Sequence, residues 1–259
     1  QREIDWLLED AEGRLENTVK NLIDPRQQKS VWITTSSDSK AHGHQVNSPG
    51  QTTKIVSDIC DDVFSATPLL NSEGLNRRNT TAQQNRAAQQ VIDALFSHDP
   101  DETFGLEGRG PEVLALNSLL RIPGILQQDT NENWYVGRPA DERLADIWDQ
   151  IEGHFDASVE QQQSLESLVD RLTAPPYGLR EGVIPVLFAA VLCSRLMVTS
   201  MWHNRVPVNT IDGRILTAVI EKPDEYTIEI NHWSPELEDL WQVLMSRVDE
   251  YKIGRASCR

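Results

Sequence analysis

Cysteine is scarce: the 259-residue chain has three, Cys60, Cys193 and Cys258. Cys60 and Cys193 lie far apart, with no further cysteine or histidine at metal-ligand spacing. That excludes a disulfide-stapled scaffold and a zinc module, and it suits a reducing compartment, so a cytoplasmic protein is expected. Long apolar runs are also missing. The longest, Val183 to Val198, is interrupted by Pro185, Ser194 and Arg195, and a membrane span needs about 20 apolar residues. No membrane partner is therefore expected. Basic residues are outnumbered, 24 against 40 acidic, for a net charge of −16. Such a surface repels phosphate and disfavours broad nonspecific affinity for nucleic acid.

Catalytic signatures are absent too. A phosphate loop needs the pattern G-x-x-x-x-G-K-[ST], and no segment has it. There is no Gly-x-Ser-x-Gly elbow for a nucleophilic serine. Gly105-Leu106-Glu107-Gly108-Arg109-Gly110 is glycine-rich and precedes Pro111 at the head of a helix. It lacks a Lys-Ser/Thr pair and a buried strand before it, so it reads as a structural turn. His42-Gly43-His44 has no third ligand nearby. No catalytic, cofactor-binding or metal-ligating residue is expected within these residues. Repeats, heptads and low-complexity blocks are lacking as well.

What is present is helical patterning. With 39% apolar and 25% charged residues, the composition is that of a packed globular protein. Apolar spacing predicts a first helix over residues 3–23, ended by Asp24-Pro25. Val31-Trp32-Ile33 reads as a short extended run, and residues 34–51 as a polar loop. Helices follow over 52–64 and 81–97, the second opened by a capping box of Thr80 with Gln83. Pro111 starts another, running to about Leu120. Further helices are predicted over 140–152 and, from a second box of Ser158 with Gln161, over 159–172. Pro175-Pro176-Tyr177-Gly178 turns the chain. Gly182 to Val198 is nearly all apolar and reads as a buried helix. Short strands at 206–208 and 226–230 bracket a helix from Asp212 to Ile220, and Ser234-Pro235 caps a last helix.

The expected fold is mainly α with a minor β component: a multi-helical array with a few short strands and a winged-helix-like C-terminal module. That module rests on the order helix, tight turn, second helix, strands from Leu168 to Ile230. The expected divisions are an N-terminal helix and polar loop at 1–50, a helical domain at 51–157, and the winged-helix-like module with the final helix at 158–252. Residues 253–259 resemble the in-frame translation of a sequencing adapter. The chain opens in mid-helix at Gln1, so it is expected to be an internal piece of a larger protein.

The charge is uneven. Residues 171–214 carry Arg171, Arg180, Arg195, Arg205 and Arg214 against Glu181 and Asp212, a local balance of +3. Residues 71–90 carry Arg77, Arg78 and Arg86 against Glu73 alone. Arg77, Arg78, Arg180, Arg195 and Arg205 are the candidate contacts for DNA phosphates or for a partner subunit. The second helix of the winged-helix-like module is too apolar to read bases, so a packing role is expected for it.

Three stretches carry a resemblance. Pro175 to Leu187 (PPYGLREGVIPVL), Thr67 to Arg78 (TPLLNSEGLNRR) and Gly105 to Gly108 before Pro111-Glu112 resemble segments in the non-motor portion of very large prokaryotic P-loop ATPases. Those ATPases belong to antiphage systems of the BREX type (BrxC/PglY-like). The likeness covers about residues 50–245 and rests on turn and packing signatures. It implies that ATP and magnesium bind elsewhere in a parent chain, and that none of that family's nucleotide-binding residues falls here. The function it implies is a non-catalytic segment coupling the ATPase to DNA or to defence-system subunits. The alternative is an acidic helical interaction scaffold with no nucleic-acid role.

Overall fold

The computed structural model describes residues 2–23, 32–35, 41–44, 49–159 and 161–231, with 239, 240, 243, 244 and 247. The chain forms two compact units, residues 1–65 and 66–259. In the first, α1 (Arg2–Ile23) matches the expected helix. Its surface is tied by Arg14–Asp10 at 2.8 Å and Lys20–Glu16 at 3.8 Å, both one turn apart. β1 (Trp32–Thr35) and β2 (Ala41–His44) form an antiparallel hairpin with Trp32 opposite His44. The expected polar loop at 34–51 is thus corrected. Ala-His-Gly-His has no strand propensity of its own, and pairing with β1 imposes the extended form. α2 (Pro49–Val63) begins three residues earlier than expected, because proline is well tolerated in a first turn.

The second unit holds one large core. α3 (Ala82–Ser97) buries Ala87, Ala88, Val91, Ile92, Ala94 and Leu95, one stripe of a 3.6-residue period. Its capping box is Thr81 with Gln84, one residue past the expected pair. Thr80 is engaged elsewhere: its methyl group would lie 2.6 Å from a Cβ built on Gly182. α4 (Pro111–Leu116) starts at its proline and widens into a π turn, Asn117–Arg121, in which Ile122 N–H donates to Asn117 O at 2.8 Å. β3 (Leu126–Gln128) and β4 (Trp134–Val136) form a small hairpin. α5 (Glu142–Asp156) is capped by Asp141 and runs four residues beyond its expected end.

The helix expected over 159–172 is shorter. Val159 bridges to Ile230, and β5 (Gln163–Ser164) pairs with residues 227–228 before α6 (Glu166–Thr173) begins. Ser158 does not cap Gln161 there, because its hydroxyl donates to His154 O at 2.8 Å. α7 (Ile184–Leu192) then crosses the core with all nine residues buried. Residues 193–198 leave the helix, and β6 (Thr199–His203), β7 (Val206–Pro207), α8 (Gly213–Glu221) and β8 (Tyr226–Ile230) complete the unit. The sheet is antiparallel, in the order β5, β8, β6, β7. β8 alternates as expected, with Tyr226, Ile228 and Ile230 buried. The protein is mainly α with small antiparallel sheets. The last helix expected after Ser234-Pro235 and the residues from 253 onward lie outside the described residues, apart from helical positions 239, 240, 243, 244 and 247.

α7 is packed by α3, α8 and α5. Phe188 meets Phe155 edge-to-face at 5.9 Å and 71°, an arrangement that adds about 0.5–1.5 kcal/mol to the burial of the two rings. α8 docks on α3 through a close backbone approach at Gly213, whose N–H donates to Asp93 Oδ1 at 2.7 Å. Gln89 and Thr217 hydrogen-bond across the same contact at 2.9 Å.

Candidate functional site

The candidate arginines fall into three environments. Arg77, Arg78 and Arg180 lie on adjoining turns. Residues 66–80 run beside 176–182, joined by Ala66 N–H to Pro176 O at 3.2 Å and by the Thr67 hydroxyl to Tyr177 O. A Cβ on Gly182 would sit 2.7 Å from Leu75 O, so the two turns touch through their backbones. All three side chains are exposed. Arg77 Nε donates to Glu73 O at 2.5 Å, and none of the three forms an ion pair among the described residues.

Arg195 is different. It follows α7 and reaches back to α5, donating to Glu152 Oε1 at 2.9 Å and to Asp156, with its side chain 28% exposed. Its charge is neutralised by two carboxylates, and it serves to hold two helices together. Arg205 sits at the tip of the β6–β7 hairpin. Asn204 and Arg205 have φ of 50° and 67°, as a two-residue turn between right-twisted strands requires. The structure thus gathers Arg77, Arg78 and Arg180 and leaves Arg195 and Arg205 apart from them.

A groove of about 540 Å³ opens beside the first of these turns, between residues 71–77, the first turns of α3 and the α4–π segment. Leu75, Ala87 and Ala115 form its buried floor. Leu114 and Ile122 stand on its rim, 64% and 73% exposed. Asn71, Gln83 and Asn117 also line it, and their carboxamides have no partner among the described residues. This size is usual for ligand sites. Sequence reasoning missed the groove, because its three walls come from segments whose meeting no local pattern specifies.

A second polar cluster was also missed. Glu225 accepts from Lys222 Nζ at 2.8 Å, from His203 Nε2 at 2.7 Å and from Asn204 Nδ2 at 3.2 Å. The Lys222 and then the His203 hydrogen bonds hold its carboxyl down to about 2. His203 stacks on Tyr226 with ring centroids 4.5 Å apart. No nucleophile joins this cluster among the described residues, and it ties the hairpin tip to the start of β8.

The glycine-rich turn at 105–110 is held by Asp101, whose Oδ1 accepts from Thr103 N–H at 2.7 Å and Gly105 N–H at 3.4 Å. Those bonds, the Thr103 one foremost, hold the Asp101 carboxyl below its usual range. His42 and His44 lie on β2, and no group of three metal-ligating side chains occurs among the described residues. None of their helices is long and apolar enough to cross a membrane. Compared with family models, curated proteins and solved structures, the chain has no match in any of the three.

Proposed function

We propose that this chain is a non-catalytic, winged-helix-like segment of a large ATP-dependent, DNA-associated protein of antiviral defence. Its work is to couple the motor to a DNA backbone or to partner subunits. The observation that carries the reading is the gathering of Arg77, Arg78 and Arg180 on adjoining exposed turns of an otherwise acidic chain, without carboxylate partners among the described residues. Such arginines contact phosphates or acidic side chains without reading sequence.

The chain order α5, β5, α6, α7, β6, β8, with β8 lying between β5 and β6, supports the winged-helix-like description. β7 and α8 are then an insertion between the two long strands. The helix in the position that usually enters the major groove is α7, and α3 and α8 cover it. Base reading by α7 is sterically excluded, which leaves backbone contact or protein docking as the role of the module. The ATPase and defence context comes from the family resemblance of residues 67–78, 105–112 and 175–187.

The test is retention of a nonspecific DNA duplex at graded salt. Three phosphate contacts give a log–log slope of about −2.7, so affinity should fall roughly 40-fold between 50 and 200 mM salt. Arg77→Glu with Arg78→Glu and Arg180→Glu should abolish retention, while Arg205→Glu should leave most of it. Retention that ignores both salt and the triple substitution refutes the nucleic-acid reading. Complete absence of retention by the wild type favours the acidic scaffold, for which the burial of α7 is the supporting observation.

A further inference from the structure

The groove beside Arg77 is built for something other than a phosphate backbone. Its floor is apolar and its rim carries two large exposed hydrophobes, Leu114 and Ile122, at 64% and 73% exposure. Side chains of this size left in water at the mouth of a concave site mark a contact surface. They flank the π turn: Leu114 lies on α4 just before it, and Ile122 follows it with its N–H donating to Asn117 O at 2.8 Å. Such turns recur where helices form binding sites.

The polar lining sorts into two groups. Gln84 is committed to the α3 cap, and Ser118 donates to Ala115 O at 3.2 Å. Asn71, Gln83 and Asn117 hold carboxamides without a partner among the described residues, each offering both a donor and an acceptor. That is the chemistry that pairs with a peptide backbone, whose N–H and C=O groups need one of each. The charge around the groove is lopsided. Residues 71–90 hold Arg77, Arg78 and Arg86 against Glu73, a balance of +2 on a chain of −16, and Glu73 is the one carboxylate lining the site. Arg78 and Arg86 are exposed and form no ion pair among the described residues.

We propose that this groove docks an acidic peptide of a partner protein. The peptide inserts apolar side chains over Leu75, Ala87 and Ala115. Its backbone bonds to the carboxamides of Asn71, Gln83 and Asn117, and its acidic flanks meet Arg77 and Arg78. The occupant is protein because the floor and rim are apolar, which wastes contact with a phosphodiester chain. It is acidic because the surrounding arginines have no carboxylate partner among the described residues. The inference rests on the reading of the chain as a coupling segment, and it names the partner surface that the coupling uses.

The experiment uses fluorescein-labelled peptides of equal length and fluorescence anisotropy on the whole chain. One peptide alternates Asp with Leu and Phe. The second replaces its acids with Lys, and the third replaces its apolar residues with Ser. Saturable binding of the first alone is expected, with backbone NMR shifts confined to residues 71–87 and 111–122. Leu114→Asp, on the exposed rim where folding is not at stake, should weaken binding at least ten-fold. Arg77→Glu should do the same and should begin to admit the Lys peptide. Equal binding of the acidic and basic peptides overturns the proposal, as does binding that survives both substitutions. Displacement of the acidic peptide by duplex DNA, with the DNA causing the same NMR shifts, overturns it too by assigning the groove to nucleic acid. DNA retention that fails while the acidic peptide still binds removes only the nucleic-acid half of the coupling reading.

Discussion

The contact between α3 and α8 can be tested by one methyl group. In Gly213→Ala the new Cβ would stand 2.4 Å from Gln89 O, 2.6 Å from Gln89 Cα and 2.8 Å from Gln89 C. All three are backbone atoms of α3, so no side-chain rotation relieves them. α8 has to retreat by about 1 Å to restore ordinary van der Waals contact, and overpacking of this kind costs about 1–3 kcal/mol. The retreat also stretches the Gly213 N–H to Asp93 bond of 2.7 Å and the Gln89–Thr217 bond of 2.9 Å. Each contributes about 1 kcal/mol net. The combined loss is about 2–4 kcal/mol, a large part of the stability of a domain this size. Gly153→Ala is the control of opposite sign. Gly153 lies inside α5, exposed, with nothing within 4 Å of the added methyl, so alanine should stabilise by about 0.5–1 kcal/mol. Urea unfolding followed by tryptophan fluorescence reads both, and the midpoints should move in opposite directions. A Gly213→Ala midpoint equal to wild type would show that α8 is not seated on the α3 backbone, and the cover over α7 would have to be redrawn.

Three further outcomes are expected. Among the described residues His154 Nε2 is buried without a partner, and burial, then the nearby Arg171 charge, push its pKa below the ordinary value of 6.5. The unfolded chain therefore binds the proton more readily, so stability should be full above pH 6.5 and fall as pH drops below it; a His154→Gln variant should flatten that slope in urea midpoints taken from pH 7.5 to 5.5. Arg195→Ala removes two ion pairs between α5 and the end of α7 and should cost about 1 kcal/mol, reduced by salt, whereas Arg205→Ala should shift the thermal midpoint little. Glu225 has a folded pKa of about 2 against an ordinary value of 4.5. Its stabilisation should be complete above pH 4.5 and disappear as pH falls toward 2, and an NMR titration of its side-chain carboxyl carbon that gives an ordinary midpoint would refute the Lys222 and His203 bonds.

Much of the helical framework was legible because its signals are local. Pro111 and Asp212 mark helix starts by chemistry that needs only the next few residues. The alternation Tyr226 to Ile230 needs only one buried face. The apolar run after Gly182 implied a helix buried over most of its surface, and all nine residues of α7 are buried. Where two local answers were equally good, tertiary contact chose. Thr80 with Gln83 and Thr81 with Gln84 are equivalent capping boxes in sequence, and the packing of Thr80 against Gly182 leaves the cap to Thr81. Residues 159–164 have enough helical period to be read as helix. The edge of β8 instead pairs with Val159, Gln163 and Ser164. Thr199 to His203 shows no clean alternation, since Met201 is its one buried residue, and it becomes a strand through pairing on both sides.

The candidate site divides the same way. The sequence alone determined that arginines are concentrated at 71–90 and 171–214 of an acidic chain, and that no phosphate loop or nucleophile elbow lies in these residues. It could not determine which arginines are free. Arg195 is neutralised by Glu152 and Asp156, 43 and 39 residues away along the chain, while the turns that carry Arg77, Arg78 and Arg180 touch across about 100 residues. The groove has walls from three such segments. Helical periods and caps are set by neighbours within a turn or two, so they are written in the sequence. Charge pairing and concavity depend on which distant surfaces touch, and only the packing of α3, α5, α7 and α8 decides that.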